Sequence, residues 1–451
     1  MSTTTDDSFT VDSDAVKKAV TAAGMGNALE WFDFSVYAYM AGTVGKVFFP
    51  SHSDSASLLS ALAVFAVAFL VRPLGGLFFG PLGDKIGRSK VLATTIIMMS
   101  AGTFVVGLLP SFATIGLWAP ILLIAARLVQ GFSTGGEYGG AATFICEYSP
   151  DDRRGFLASF LEFGTLAGYS LGAIVVLGTQ LGMGDAAFAD WGWRIPFLIA
   201  APLGLFGLYL RLKLEDSPAF EQVKESGEAD GSLAEVVTSH MRQLLLCIGL
   251  VIILNVAYYT VLTYLPSYLE SVLNMSSLES TGLLVITMIV MMCVIFLFGG
   301  LSDTVGRKPV LIGTCIGFIL LSYPAFWLMG TTTVAGVVVA LAILGLLTVS
   351  LAGTMPATLP AIFPTRVRYG GFAIAYNIST SLFGGTAPYL IQWLIGETGS
   401  KMVPAFYLMA AAAVALVPIM LIPETARRPL PGSKAQYSGR GGPAREPAPA
   451  A

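Results

Sequence analysis

The chain has 451 residues, of which 55% are hydrophobic and only 12% charged, and its formal net charge is −3. Soluble globular proteins carry roughly twice that share of charged residues, and the mean hydropathy here is +0.75. These values exclude a soluble enzyme, a disordered chain and a disulfide scaffold. The chain has no excess of basic residues that would favour binding to nucleic acid, so no nucleic-acid partner is expected. We therefore predict a polytopic helical protein embedded in a lipid bilayer.

Apolar windows recur along the whole chain, and each is long enough to cross a bilayer as a helix of roughly 20 residues. There are twelve, near 19–45, 58–80, 91–112, 116–146, 156–181, 191–212, 244–269, 281–301, 309–330, 334–362, 371–396 and 402–422. The predicted fold is an all-α membrane protein with twelve transmembrane helices in two pseudo-symmetric six-helix bundles. The predicted regions are a cytoplasmic N-terminal segment (1–18), the first bundle (19–213), a cytoplasmic linker (214–243), the second bundle (244–423) and a disordered cytoplasmic tail (424–451).

The distribution of Lys and Arg predicts the orientation. Twenty of the 25 lie in segments on the same side as the N-terminus, whereas only Lys46 and Lys401 lie in loops on the other side. Because positively charged loops stay in the cytoplasm, both termini are predicted to be cytoplasmic. The N-terminal segment lacks the apolar core of a signal peptide, so the first span is expected to act as its own anchor.

An internal repeat relates the two halves. Gly80-Pro-Leu-Gly-Asp84-Lys-Ile-Gly87-Arg88 aligns with Gly299-Gly-Leu-Ser-Asp303-Thr-Val-Gly306-Arg307 at a constant offset of 219, and both copies follow the second span of their half. A duplicated transporter has two halves of this kind. Ion pairs in these loops can latch two rigid bundles together and release them, although ordinary basic loops are the alternative. The predicted latch residues are Asp84, Arg88, Arg154, Asp303, Arg307 and Arg368.

The first span contains two carboxylates within the membrane. Glu30, Asp33 and Tyr37 are spaced i, i+3 and i+7, which places them on one helical stripe. A carboxylate at membrane depth costs about 3 kcal/mol, and burial disfavours its charged form. We therefore predict that the Glu30 and Asp33 pair carries a proton. The alternative is a structural ion pair with Arg72 in the second span or Arg127 in the fourth.

The fourth span carries a polar face that predicts the lining of a substrate cavity. Its residues fall within a sector of about 100° on one helix, and close packing through the neighbouring glycines is the alternative. Glu162 in the fifth span precedes a ridge of small residues and has no assigned role. The predicted lining residues of the fourth span are Arg127, Gln130, Thr134, Glu137 and Tyr138, with Tyr37 from the first.

Aromatic residues in the second half extend this prediction. Asn255, Tyr258 and Tyr259 share one face of the seventh span, and Tyr376 and Asn377 lie in the eleventh. Aromatic faces attract quaternary ammonium groups. A cation-binding box is therefore predicted here, with ordinary core or interfacial aromatics as the alternative.

The candidate motifs for catalysis and cofactor binding lack the residues that these functions require. Gly131-Phe-Ser133-Thr-Gly135 matches a nucleophile elbow, but the two histidines, His52 and His240, are predicted on opposite sides of the membrane. Neither an ATP-binding P-loop nor a zinc-protease motif is present in the sequence. We therefore expect no enzyme activity and no cofactor or metal, with the proton motive force as the energy source.

Several segments of the sequence resemble a known family. The two repeated loops that contain Gly83-Asp84 and Ser302-Asp303 resemble the signature of the major facilitator superfamily. Glu30-Trp-Phe-Asp33, Arg72-Pro-Leu-Gly-Gly, the Gly131–Tyr138 segment and Trp191-Gly-Trp-Arg-Ile-Pro-Phe resemble its metabolite:proton symporter branch. This similarity runs from about residue 15 to 430. It implies proton-driven uptake of zwitterionic osmolytes (proline and glycine betaine, with ectoine as a further candidate) across a bacterial inner membrane under osmotic stress. It also implies that Glu30 and Asp33 act in coupling.

Two other functions remain open from the sequence. The spans hold four acids (Glu30, Asp33, Glu137 and Glu162) against Arg72 and Arg127, whereas a site for dicarboxylates is expected to show the reverse excess. A symporter for a carboxylate metabolite such as α-ketoglutarate or shikimate is the first alternative. A membrane-embedded osmotic sensor that acts through a partner is the second. The sequence makes no prediction of oligomeric state.

Overall fold

The computed structural model describes residues 9–11, 13–86, 88–135, 137–213, 238–433 and 436–438. Almost all of these residues are helical, which confirms the all-α prediction. Twelve helical segments run back and forth between two faces of the molecule, and several of them are made of two or three pieces. They are α1 (Ser13–Tyr39), α2 (Asp54–Leu70 and Arg72–Ile86), α3 (Arg88–Leu108), α4 (Trp118–Ser133 and Glu137–Tyr148), α5 (Arg154–Met183), α6 (Arg194–Leu198 and Ala200–Lys213), α7 (Met241–Tyr258, Tyr259–Tyr264 and Leu265–Ser271), α8 (Ser277–Val305), α9 (Arg307–Met329), α10 (Val334–Thr358), α11 (Thr365–Ser379, Thr380–Gly384 and Ala387–Thr398) and α12 (Val403–Leu421).

Short elements lie in the connections and at the chain ends. Helical turns occupy Ala41–Phe48, Phe112–Ile115, Asp185–Ala187, Phe188–Gly192 and Pro360–Ile362. Two strands, β1 (Phe9–Val11) and β2 (Gln436–Ser438), pair in parallel with Phe9 opposite Gln436. This pairing places both ends of the described chain on one face of the molecule, which we call the terminal face. Of the predicted linker, residues 214–237 lie outside the described residues.

Some spans are apolar throughout, whereas others carry polar residues inside the protein. Within the described ranges, seven helices are long and apolar enough to cross a membrane, or eight when one pair bent by 47° counts as a single span. The others are polar or interrupted. Helix α1 is the clearest case, because it carries Asn27, Glu30 and Asp33 inside the protein, each at most 5% exposed. Buried polar groups of this kind mark functional positions in membrane helices.

Helix α4 is not the continuous helix that the sequence predicts. It ends at Ser133 and starts again at Glu137. Helix α2 approaches α4 closely just before this break, since a Cβ atom at Gly131 would lie 1.7 Å from the carbonyl oxygen of Ala68. Only glycine allows two backbones to come this close. The predicted polar face is therefore divided between two helical pieces.

Helices α1 and α5 pack through the small-residue ridge that the sequence predicts. A Cβ atom at Gly164 would lie 2.2 Å from the carbonyl oxygen of Gly24, and one at Gly168 would lie 2.3 Å from that of Ala28. Backbones in such close contact fix the register of the two helices. Trp31 on α1 and Glu162 on α5 consequently face the same space.

Candidate functional site

A small buried cavity lies where the two bundles meet. Each lining residue is at most 4% exposed, so the cavity is closed toward both faces of the molecule. The free space inside it is about 10 Å³, which is room for about one water molecule, so binding of a solute requires these walls to move apart. The first bundle contributes Trp31, Glu162 and Thr165, and the second contributes Leu254, Asn255, Tyr258, Tyr259 and Tyr376.

One corner of the cavity is built from two aromatic rings. The rings of Trp31 and Tyr259 meet at 65° with their centroids 6.0 Å apart. The indole is held in place because its Nε1 donates to Oδ1 of Asn27 at 3.1 Å, while Nδ2 of Asn27 donates to the Leu161 carbonyl at 2.8 Å and to Oγ1 of Thr165 at 2.5 Å. Side chains of α1 and α5 thus fix the orientation of the ring.

Glu162 is the one acid among the residues that line the cavity. It is 2% exposed, and the Tyr138 hydroxyl donates a short hydrogen bond to its Oε1. The ring of Tyr138 stacks on Tyr376 with centroids 4.0 Å apart and an angle of 10°. Among the ion pairs of the described residues, none includes Glu162. A carboxylate buried without a counter-charge is costly, which makes it a site for a cation.

A hydrogen-bond donor without a partner lies in the same cavity. The Tyr259 hydroxyl is buried and has no partner within 3.5 Å among the described residues, whereas the Tyr258 hydroxyl interacts with Glu162. Asn255 is held by α11, since its Nδ2 donates to Ser379 at 3.5 Å and its Oδ1 accepts from Thr380 at 3.3 Å. A buried hydroxyl without a partner costs about 1–3 kcal/mol. A ligand that accepts hydrogen bonds would remove this cost.

Glu30 forms an ion pair rather than facing the cavity as a free acid. Nη2 of Arg72 lies 3.0 Å from Oε1 of Glu30, and both side chains are at most 2% exposed. The same nitrogen donates to the Thr134 carbonyl at 3.3 Å. The guanidinium group also lies over the ring of Phe69, 5.3 Å from its centroid. For Glu30 the structure thus shows the ion pair that the sequence left as the alternative.

Asp33 lies in a separate cluster inside the first bundle. Oγ of Ser100 on α3 donates to its Oδ2 at 3.3 Å, and Asp33 also interacts with Thr103 and with the charge of Arg127. No ion pair in the described part of the chain includes Asp33. We call these residues, with Tyr37 and Gln130, the Asp33 cluster. Their positions are suited to a proton-binding site that is distinct from the cavity.

Arg127 and its neighbours complete the Asp33 cluster instead of lining the cavity. The guanidinium group of Arg127 lies 4.1 Å from the ring centroid of Tyr37, and its Nη1 donates to Oε1 of Gln130 at 2.6 Å. Gln130 in turn donates a short hydrogen bond to Thr103. The Tyr37 hydroxyl donates a hydrogen bond to the Ala61 carbonyl at 2.9 Å. Arg127 is therefore positioned to act on Asp33.

The terminal face is closed by contacts across the two bundles. The carboxylate of Asp303 at the end of α8 accepts from the backbone N–H groups of Gly155 at 2.7 Å and Phe156 at 2.9 Å. These are free donors in the first turn of α5, where a negative charge is stabilised by the helix dipole. Nη2 of Arg307 lies 3.6 Å from the same carboxylate, and Nη1 of Arg368 lies 2.7 Å from Oε1 of Glu147. We call the Asp303 contacts the bundle latch.

Residues 424–433 form a strap across this face, although the sequence predicts disorder from residue 424 onward. Arg154 of the first bundle donates to the carbonyl of Arg428 at 2.9 Å, and Arg368 of the second donates to the carbonyl of Pro431 at 2.7 Å. Arginine side chains, which hydrophobic patterns do not register, hold the strap in place. The strap therefore contacts both bundles.

Glu424 anchors the start of the strap. Burial raises the pKa of its carboxyl, but four backbone N–H donors together outweigh burial and lower the pKa below its ordinary value. The group is consequently charged at neutral pH and caps the first turn of α9. The four donors are those of Ala426, Arg307, Lys308 and Thr425.

A family model described as the Major Facilitator Superfamily matches residues 23–388 of this chain. The chain belongs to this family. A proline/betaine transporter of Salmonella typhimurium is 48% identical over 433 residues, which cover 94% of this chain and 86% of the relative. A transporter of Dickeya dadantii named for glycine betaine, proline, ectoine and pipecolic acid, OusA, is 46% identical and covers 95% and 87%.

The fold is also that of a solved facilitator. The proton:xylose symporter XylE is similar with a TM-score of 0.72 and 19% identity, covering 93% of this chain and 98% of XylE. The resemblance inferred from the sequence is thus confirmed, as are the multi-pass transporter class and the two-bundle fold. The two proteins share the fold, but the residues that line the site can differ between them.

Two other residues predicted for the cavity make contacts outside it. Nδ2 of Asn377 donates to the Gly135 carbonyl at 2.5 Å and so joins α11 to α4. Oγ1 of Thr134 donates to the Gly131 carbonyl at 3.1 Å. Neither residue lines the cavity. The side chains of Asp84, Arg88 and Glu137 lie outside the described part of the structure.

The sequence patterns do not predict three of the lining residues, which are Trp31, Thr165 and Leu254, and they give no role to Glu162. A stripe at i, i+3 and i+7 through Glu30 does not include the next residue, Trp31. A tryptophan between two buried acids is nevertheless a usable signal. Thr165 lies three residues after Glu162 and so shares its face of α5.

Proposed function

We propose that this chain is a proton-coupled symporter that imports zwitterionic compatible solutes by alternating access. The substrates are proline and glycine betaine, with ectoine as a further one, and the transporter acts in the response to osmotic stress. It lies in the bacterial inner membrane with both termini in the cytoplasm. The observation that carries the proposal is the closed cavity, which combines one carboxylate outside any described ion pair with aromatic walls and the partner-free Tyr259 hydroxyl.

The composition of the cavity favours a zwitterion over an organic acid. Its lining residues include no Lys or Arg, and Arg72 nearby is neutralised by Glu30 at 3.0 Å. A dicarboxylate would bring two negative charges beside Glu162 with no cation in the lining to offset them. A zwitterion brings one charge of each sign, and the Tyr259 hydroxyl suits its carboxylate. The names of the relatives, which include proline and betaine, support the same substrate class.

The Asp33 cluster supplies a separate place for the proton. Asp33 is 2% exposed and is not held in an ion pair among the described residues. Proton binding there would remove a buried negative charge close to Arg127 and change the contacts of α1 with α3. Because Trp31 and Asp33 belong to the same helix, such a change can alter the wall of the cavity. The proton and the solute would thus be coupled through α1.

The energetics allow useful accumulation. One charge moved across 100 mV is worth about 2.3 kcal/mol, whereas a tenfold gradient of an uncharged or zwitterionic solute needs about 1.4 kcal/mol. One proton for each solute molecule therefore sustains more than tenfold accumulation. No bound cofactor enters this scheme, since the proton gradient supplies the energy.

The test is uptake of radiolabelled glycine betaine into proteoliposomes that contain the full chain, under an imposed inward proton gradient. We expect gradient-driven accumulation by the wild type. Asp33→Asn should lose accumulation but keep the exchange of labelled for unlabelled betaine, because the cavity is intact. Robust uptake of 2-oxoglutarate or shikimate without uptake of betaine or proline would reject the proposal in favour of a carboxylate symporter.

A further inference from the structure

We propose that Glu162 binds the positively charged nitrogen of the substrate and determines selectivity for cationic nitrogen. This inference rests on the proposed function, because it assigns one end of a zwitterion to one residue. Glu162 lines the closed cavity and is 2% exposed. It lies on α5, one turn from the glycines that pack against α1. The side chain is therefore held rigidly where the two bundles meet.

The other buried acids near the bundle interface are already occupied. Glu30 is paired with Arg72 at 3.0 Å. Asp303 accepts two backbone N–H groups and lies 3.6 Å from Arg307. Glu162 has the Tyr138 hydroxyl as a donor, but no cation pairs with it in the described ranges. Its charge is thus the one that a substrate cation can neutralise within the cavity.

The aromatic walls suit the methyl groups around a quaternary nitrogen. Trp31 and Tyr259 form a corner with an angle of 65°, and Tyr376 is stacked behind Tyr138, the donor to Glu162. Aromatic faces attract cations, most strongly when water is excluded. The cavity thus presents ring faces and a carboxylate to the same end of the solute. The Tyr259 hydroxyl remains for its carboxylate.

Two separate carboxylates also satisfy a requirement of symport. If the proton and the substrate cation used one carboxylate, each would displace the other, and the pair would be exchanged rather than carried together. Asp33 contacts Ser100 of α3, whereas Glu162 faces the cavity between the bundles. Both ligands can therefore be bound at once. The substrate cation binds to Glu162, and the proton binds to the Asp33 cluster.

The experiment is equilibrium binding of tritiated glycine betaine to the purified full chain in the absence of any gradient, with 3,3-dimethylbutyrate as a competitor. This compound has the shape of glycine betaine with carbon in place of the charged nitrogen. We expect the wild type to prefer betaine strongly. Glu162→Gln should weaken betaine binding about 30-fold or more, as is typical when one partner of a buried charge pair is removed. Its preference for betaine over the competitor that lacks the cationic nitrogen should also disappear.

Controls separate loss of charge from loss of structure. Glu397→Gln, an exposed position outside the cavity, should leave binding and selectivity unchanged. Glu162→Asp keeps the charge and should retain part of the selectivity, which a purely structural role would not predict.

Each result decides the proposal. Betaine selectivity of Glu162→Gln equal to that of the wild type would overturn the role of Glu162 while leaving the proposed function intact. If Glu162→Gln does not fold, wild-type binding decides, since equal affinity for betaine and 3,3-dimethylbutyrate would also overturn it. A wild type that binds neither betaine nor proline would reject the proposed function and this inference with it.

Discussion

At the scale of single residues, the protein uses its two buried arginines in different ways. Arg72 is paired with Glu30 at 3.0 Å, whereas Arg127 packs on the ring of Tyr37 and lies beside Asp33 without an ion pair among the described residues. A neutralised pair resists changes of charge. An acid close to an unpaired arginine can gain or lose a proton while the arginine remains charged. From this difference we expect a structural role for Glu30 and proton binding at Asp33.

The Glu30 pair leads to a prediction about stability. Glu30→Gln leaves the Arg72 guanidinium buried without a counter-charge, which typically costs about 3–5 kcal/mol. We expect a large fall in the thermal unfolding temperature of the detergent-purified protein. The double variant Glu30→Gln/Arg72→Met should recover much of it. A Glu30→Gln protein that is as stable as the wild type but no longer accumulates solute would instead assign Glu30 to coupling.

At the scale of elements, the contact between α1 and α5 determines where the cavity residues lie. Gly164 and Gly168 bring the backbones together, and Asn27 crosses the same contact to hold Trp31. Because Trp31 and Glu162 come from these two helices, a small separation of the helices would displace both walls of the cavity. The helix pair is therefore part of the site as well as of the fold.

Glycine substitutions in α5 test this contact. Gly164→Ala would place a Cβ atom 2.2 Å from the Gly24 carbonyl oxygen, and overpacking of this kind typically costs about 1–3 kcal/mol. We expect lower thermal stability and weaker betaine binding. Gly178→Ala in the same helix is the matched control, since nothing lies within 4 Å of its added Cβ. If both variants unfold at the same temperature, the close helix contact does not stabilise the protein.

At the scale of the whole molecule, the structure is a closed state of an alternating-access cycle. The cavity residues are all buried, and the bundle latch and the strap join the two bundles at the terminal face. Opening toward this face requires that the Asp303 contacts and the Arg154 contact break. The latch therefore contributes to the free energy that separates the closed and open states.

Asp303→Asn should shift that equilibrium toward opening at the terminal face. The change removes a charge that accepts two backbone N–H groups, and hydrogen bonds to charged groups are worth about 1.5–3 kcal/mol each. Spin labels at the exposed positions Asp152 and Thr304, in a background free of other reactive cysteines, would report the separation of the bundles. We expect a larger population of long distances than in the otherwise identical labelled protein with Asp303. An unchanged distance distribution would exclude the latch as a determinant of the equilibrium.

The sequence by itself determined the membrane class, the twelve helices, the two related halves and the family. These follow from apolar length, from charge distribution and from repeated motifs, which are properties of the chain read in order. It also marked Tyr258, Tyr259, Asn255 and Tyr376, since aromatic and amide residues share a helix face there.

Only the tertiary structure decided how the polar residues divide among the sites. Glu30 and Asp33 are three residues apart, yet one faces Arg72 and the other faces Ser100. The break in α4 separated Arg127 from Tyr138, and glycine contacts between helices brought Trp31 and Glu162 to one cavity. These outcomes depend on which helices approach each other and how closely. Helical periodicity shows the face of one helix but not the neighbour that the face meets.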